Sequence, residues 1–280
     1  MDNYQLTQDQ ITAYGVCLRT EEHTPSTIEK YLRDTRAFAV WLEGRPVTRE
    51  LAAEWRDRLL SSGHKPSTVN SMLAAVNGLF RFLGWGIRVK FLKVQRRLFR
   101  DQSRELTRGE YDLLVNTARA AGEERLALLM EAVCATGVRV SEVKYLTVEA
   151  AQCGRAEIAL KGKIRMILLP NKLCRKLLKY ARKQKIASGE IFLTRSGRSL
   201  SRRQIWAEMK QLCKATGVAS EKVYPHNLRH LFARTFYQAC KDIARLADVL
   251  GHSSIETTRI YLVTTGAEQV RQLDRLGLVS

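Results

Sequence analysis

The side chains able to do chemistry crowd into one stretch, from Tyr224 to Leu262. It holds His226, Arg229 and His230 in Pro225-His226-Asn227-Leu228-Arg229-His230, then His252 in Leu250-Gly251-His252, then Tyr261. A guanidinium binds the non-bridging oxygens of a phosphate in a fork. An imidazole donates a hydrogen bond or a proton, and a phenol can attack as a nucleophile. The set suits a phosphate ester. Short elements must position it. Leu228, Leu231, Phe232 and Thr235 recur at helical spacing as a core-facing stripe, which puts His226, Arg229 and His230 on the other side. Leu250-Gly251 reads as a helix C-cap that leaves His252 at a chain reversal. Ser253 and Glu256 fit a capping box opening a short helix, with Tyr261 near its end. His230 stays open between a place on the active face and a structural hydrogen bond.

The composition points the same way. The chain has 280 residues, enough for two domains, and 45% hydrophobic residues, enough for real cores. A formal charge of +19 and a pI near 10.0 imply a polyanionic partner. No long uncharged apolar run and no signal-peptide core is visible, so a membrane role is not expected. The six cysteines (Cys17, Cys134, Cys153, Cys174, Cys213, Cys240) include no C-x-x-C pair and read as reduced, mostly buried thiols of a cytosolic protein. No histidine has metal-ligand spacing to cysteines or carboxylates, and no nucleotide-binding glycine loop occurs, so neither metal nor cofactor is expected.

Taken in order, residues 1–86 read as a helical domain. Helices are expected from Gln5 to about Thr20, from the Ser26–Glu29 capping box onward, from Thr48 to Leu60, and from Ser67 to Leu83. The tripeptide Pro-Ser-Thr occurs at Pro25 and again at Pro66, a shared helix-start signal. Trp55, Trp85 and Trp206 read as core or packing residues. Residues 87–104 form a basic linker carrying Arg88, Lys90, Lys93, Arg96, Arg97, Arg100 and Arg104 against Asp101 alone, a composition suited to phosphate contact. Residues 105–280 form a second domain. It opens with a Thr107–Glu110 capping box, and a helix from Glu124 to Thr136 ends at Gly137. Arg139 follows, with Glu142 one turn on. A β-hairpin then runs through Ile158-Ala159-Leu160 and Ile164 to Leu169, with Lys161 and Lys163 at its tip. A basic helix (Leu173–Lys185), a short strand (Ile191-Phe192-Leu193), a helix capped by Ser201 and Gln204, and a last helix at 266–276 complete it.

Taken singly these residues are ordinary: a surface arginine, turn lysines, a capping histidine, a core tyrosine. Their order and local setting together are not. Arg139 in Ala-Thr-Gly-Val-Arg-Val-Ser-Glu, Lys161 of the hairpin, His226-x-x-Arg229, Leu250-Gly251-His252 and Tyr261 in Thr-Thr-Arg-Ile-Tyr resemble the active-site set of the tyrosine recombinases, the phage-integrase family. The likeness spans about residues 5–280 and is nearest to the two-domain, Xer-like branch. It implies a mainly α fold with a small β-sheet: a SAM-like core-binding domain followed by a mixed α/β catalytic domain.

The resemblance also implies a chemistry. Tyr261 would attack a DNA phosphodiester and form a 3′-phosphotyrosyl link, with Arg139 and Arg229 clamping the non-bridging oxygens. His226 would take the phenol proton, Lys161 would protonate the leaving 5′-oxygen, His252 would hydrogen-bond the phosphate, and Glu142 would brace the site. The hairpin, Lys161-Gly162-Lys163-Ile164-Arg165, is one residue shorter than the family's usual form, so Lys163 competes with Lys161. The expected partner is double-stranded DNA, bound by a homo-tetramer on two sites through a Holliday junction, with an accessory protein or second recombinase as a further partner. The expected location is a bacterial-type cytoplasm, at the nucleoid. The third and fourth helices and the Arg202-Arg203-Gln204 helix start are candidates for base reading, and the last helix either packs on its own subunit or is exchanged with a neighbour. The rival readings are a type IB topoisomerase-like nicking enzyme and a catalytically silent DNA-binding regulator.

Overall fold

A computed structural model of the chain describes residues 4–94, 102–160, 163–261, 270–271 and 273–277. The chain divides into two compact units, Met1–Arg96 and Arg97–Ser280. Both are mainly helical, and among the described residues the sheet is a single two-stranded hairpin.

The first unit contains α1 (Gln8–Thr20), α2 (Pro25–Leu42), α3 (Arg49–Ser61) and α4 (Pro66–Phe82). Pro25 and Pro66 each occupy the first helical turn, where the missing N–H is not needed and the fixed φ suits the helix. The repeated Pro-Ser-Thr is therefore a start signal. The box expected from Ser26 and Glu29 does not form, because α2 starts at Pro25 with Thr24 as its N-cap, two residues earlier. The boundary of α1 also moves, to a Thr7–Gln10 capping box. Phe38 of α2 is the centre of the core. It meets Trp55 and Phe80 edge-on, with ring centroids 5.0 and 5.8 Å away. Ile87 and Val89 join the same core. The start of the expected linker thus packs on the first unit, and residues 95–101 of that linker lie outside the described residues.

The second unit is built around α6 (Glu124–Thr136), whose Leu126, Leu129, Met130 and Val133 are buried on several sides. A helix apolar around most of its circumference must be enclosed. Here α5 (Arg108–Ala120), α8 (Asn171–Lys183), α9 (Arg202–Thr216) and α10 (Pro225–Cys240) enclose it. A short 3-10 turn, Val140–Tyr145, leads to α7 (Val148–Cys153). Strand β1 (Arg155–Leu160) then pairs antiparallel with β2 (Lys163–Leu168). Two short helices, α11 (Ile243–Leu250) and α12 (Ile255–Arg259), follow α10. The capping boxes at Thr107 and Ser201 form as expected. The cap of α12 is Ser254, not Ser253. Ile191-Phe192-Leu193 is not a strand: Ile191 and Phe192 are core, and the only pairings beside them are isolated bridges from Glu190 to Thr147 and from Leu193 to Ser199, among the described residues. All six cysteines are free. Only Cys174 and Cys213 are buried, and Cys153 and Cys240 are exposed, so the thiols are less enclosed than their type suggested. Of the expected last helix, Val270, Leu273 and Leu276 are described, and all three are exposed. No helix among the described residues is long and apolar enough to cross a membrane.

Truncating Phe38 removes the ring on which two other aromatics converge. Phe38→Ala should lower the unfolding free energy of the first unit by about 3–5 kcal/mol, read from urea denaturation followed by tryptophan fluorescence.

Candidate active site

Arg229 is the centre of the site and among the most enclosed large side chains of the chain, at 1% exposure. A buried guanidinium must place its N–H groups on acceptors. Its Nη1 donates to the Gly137 carbonyl, and its Nη2 donates to the Leu250 carbonyl at 2.8 Å and to His252 Nε2 at 3.0 Å. Both carbonyls lie at helix C-termini. Gly137 caps α6 in the left-handed region, φ +65°, and Leu250 ends α11 just before Gly251, φ +63°. Helix C-termini carry partial negative charge, so two of them aimed at one cation offset part of its burial. Neither glycine has room for a Cβ: the Phe232 ring blocks one at Gly137, and the Arg165 side chain blocks one at Gly251.

The second part of the site is an ion cluster. Glu142 is 2% exposed. Its Oε1 accepts from Arg139 Nη1 at 2.9 Å, and its Oε2 accepts from the Arg139 backbone N–H at 2.8 Å and from Arg165 Nη2 at 2.7 Å. Arg165 Nη1 also donates to the Leu250 carbonyl, the same oxygen that Arg229 uses. The cluster therefore holds three guanidinium groups and one carboxylate, a surplus of two positive charges. The strain of that surplus is visible in the proton affinities. Burial pulls Arg165 down to about 10, with Glu142 opposing and Arg139 and Arg229 adding to the fall. Burial also lowers Arg229, against an interaction with the Tyr261 hydroxyl that raises it.

His252 bridges this cluster to the tyrosine. An arginine can only donate, so His252 Nε2 is the acceptor and Nδ1 carries the hydrogen. That N–H lies 2.9 Å from Thr258 Oγ1, its acceptor. The ring is neutral: burial, then Arg229, Arg139 and Arg165, push its pKa to about 4. Tyr261, 4% exposed, stacks on His252 with centroids 5.9 Å apart and planes at 12°. His226, in the first turn of α10, is exposed and its centroid is 6.3 Å from the Tyr261 ring. Burial of part of the ring and the charges of Arg229 and Arg139 lower its pKa. His230 is nearer still, edge-on to Tyr261 at 4.5 Å and to His226 at 4.7 Å. It belongs to the active face, and burial, then His226, Arg234 and Arg229, press its pKa to about 4.

Arg229, His226, His252 and Tyr261 thus form one group, with Arg139 tied to it through Glu142 and Arg165. Lys161 lies outside the described residues. The cleft beside the group is lined by Arg139, His226 and Arg229 together with Arg202, Arg203 and Trp206 of α9. Trp206 is 49% exposed there and is not a core residue, because it projects from the outer side of the helix start. Arg165 was the residue given no role from sequence. Its signal was period-two alternation: Ile164, Met166 and Leu168 face out, while Ile167 faces in and Arg165 shares its side. Among the described residues, no three His, Cys, Asp or Glu side chains are grouped to hold a metal ion.

Residues 104–267 match the phage integrase family, and residues 11–86 match the phage integrase N-terminal SAM-like domain. The tyrosine recombinase XerC of Roseiflexus castenholzii is 31% identical over 90% of this chain and 88% of its own. The tyrosine recombinase XerA of Pyrococcus furiosus is 25% identical over 98% and 96%. Among solved structures, a lambda integrase tetramer bound to a Holliday junction shares the fold at a TM-score of 0.74, with 19% identity over 93% of this chain and 78% of that one. The integrase of the transposon Tn1549, bound to transposon right-end DNA, has a TM-score of 0.71 at 16% identity, covering 96% and 99%.

Glu142→Gln should cost about 3–5 kcal/mol in chemical denaturation, since it strips the carboxylate from buried cations. The histidines set a pH dependence. His230 and His252 have folded pKa values of about 4 against 6.5 unfolded, so between those values the unfolded chain binds protons that the folded one refuses. Stability should therefore fall as pH drops from 6.5 toward 4, and His230→Gln/His252→Gln should fall less steeply when urea midpoints are compared.

Proposed function

The chain belongs to the phage integrase family and is a tyrosine recombinase, an enzyme that transfers DNA strands; on that premise we propose that the cluster around Arg229 is its strand-exchange site. The reading rests on one arrangement: two arginines share a single carboxylate, a third is buried next to them on main-chain carbonyls, and beside them a tyrosine stacks on a histidine. A phosphodiester is the anion that such a surplus accepts. Arg139 and Arg229 hold its non-bridging oxygens, and the charge that builds on them in the pentacovalent state strengthens that grip.

Tyr261 Oη attacks phosphorus. The new bond is phosphorus to the phenolic oxygen, and the bond that breaks is phosphorus to the 5′-oxygen. His226, whose pKa is lowered by burial and then by Arg229 and Arg139, accepts the phenol proton. Lys161 supplies a proton to the leaving 5′-oxygen. His252 Nε2 now accepts from Arg229; once a bound phosphate oxygen takes over that acceptor role, the ring hydrogen moves from Nδ1 to Nε2, Thr258 Oγ1 donates to Nδ1 in its place, and Nε2 donates to the phosphate. The phosphotyrosyl link keeps the phosphodiester's energy, so a 5′-hydroxyl from a partner strand reverses the attack without outside fuel. We assign Arg202 and Arg203, which line the same cleft, to the DNA backbone.

The enzyme acts as a homo-tetramer on two duplex sites through a Holliday junction, in a bacterial-type cytoplasm at the nucleoid. An accessory protein or second recombinase is a further partner. The exposed Val270, Leu273 and Leu276 fit exchange of the last helix between subunits.

Protein purified under denaturing conditions from cells should carry covalently joined DNA whose sequence names the site. A duplex of that sequence, nicked to trap cleavage, should give a protein–DNA adduct resistant to denaturant. Tyr261→Phe should give none, and removing the Arg229 guanidinium should slow adduct formation by about 10²–10³-fold. Lys161→Ala should slow it more than Lys163→Ala. Adduct from Tyr261→Phe equal to wild type would overturn the assignment.

A further inference from the structure

Two asparagines of α4 treat the segment after that helix as a neighbouring strand would. Asn77 Nδ2 donates to the Val89 carbonyl at 2.9 Å, and its Oδ1 accepts from the Val89 N–H at 2.9 Å. Asn70 repeats the pattern on Leu92, at 2.9 and 2.8 Å. The spacing explains why both fit. Seven helical residues rise about 10 Å, and three extended residues span about 10 Å. Each carboxamide satisfies both backbone groups of one residue, so the segment is fixed in register as well as in place. Below it, Ile87 and Val89 are buried, and Leu92 packs against the same core. Above it, Arg88, Lys90 and Lys93 are exposed, and no carboxylate pairs with them among the described residues.

We propose that Asn70 and Asn77 are positioning residues that hold residues 88–93 as a preordered strip, through which Arg88, Lys90 and Lys93 contact the phosphate backbone of duplex DNA. The inference rests on the strand-transfer reading above and adds to it the device that orders the contact. The geometry supports this because the hydrogen bonds fall on backbone groups and leave every basic side chain of the strip free. A segment already extended and locked gives up little conformational freedom on binding, so more of the electrostatic attraction appears as affinity. Asn77 is 8% exposed, which makes its two bonds the inner and more sheltered rung.

The experiment measures affinity of the full chain for a short random-sequence duplex across a salt series. Its slope counts neutralised phosphates, a quantity that a loss of fold stability alone does not move. Replacing Arg88, Lys90 and Lys93 by Gln should flatten the slope by about 2–3. Asn70→Leu/Asn77→Leu keeps every charge, yet should flatten the slope by about 1–2 and speed amide exchange at Val89 and Leu92. Asn70→Leu alone, at the outer rung, serves if the double variant does not fold, with a change of about half that size. If the Gln variant flattens the slope and the Asn variants do not, the strip touches DNA without needing its clamp, and the inference is wrong. If neither flattens it, the strip does not touch DNA, and the inference is equally wrong. Binding that ignores salt in the wild type would instead sink the strand-transfer reading itself.

Discussion

Arg229 is buried among acceptors that belong mostly to the main chain. The ends of α6 and α11 converge on its guanidinium, and two left-handed glycines make that convergence possible. The rest of the second unit follows from this convergence. Helix α6 has to be enclosed so that its C-terminus points inward. Helix α10 has to start at Pro225 so that Arg229 falls one turn later on the inner side, and α11 has to stop at Leu250. Such an arginine is not an ion pair taken from water. It is a cation held by helix termini.

Around it the electrostatics are deliberately incomplete. Glu142 neutralises one guanidinium of three, and the histidines decline to add more positive charge, His230 and His252 having pKa values pressed from 6.5 to about 4. This division decides what each group can do. Arginines remain charged at every working pH and so serve as fixed electrostatic partners. Imidazoles kept neutral can accept a proton or switch hydrogen-bond roles. The same cluster therefore separates charge stabilisation from proton transfer using residue type alone.

Much of this was legible before the fold was known. The helix starts at Thr107 and Ser201, the stop at Gly137 and the hairpin all carry local signals, because a cap or turn is decided by a few neighbouring residues. What sequence missed is non-local. Ile191 and Phe192 look like a strand by composition but have no ladder partner, so tertiary packing overrides propensity. Trp206 looks like a core residue by type but faces a cleft that only folding creates. For Arg165 the alternation of the hairpin marked the face but not the role, because its partners, Glu142 and Leu250, are far away in sequence. Asn70 and Asn77 were invisible for the same reason: a carboxamide on a helix says nothing of the strand-like segment it will meet.

The Leu250 carbonyl that receives both Arg165 and Arg229 is a backbone atom, and no substitution at position 250 can delete it. Drift at this point of the chain can therefore act on the donors, or on the glycine that aims the oxygen, but never on the oxygen itself. A lineage that abandoned strand exchange could lose the Tyr261 hydroxyl, as in Tyr261→Phe, and still keep its folded interior, since the ring packs against Leu246 and Leu250 and the tie between hairpin and helix does not use that hydroxyl. Descendants that have lost the reaction while retaining the shape are a natural product of this wiring.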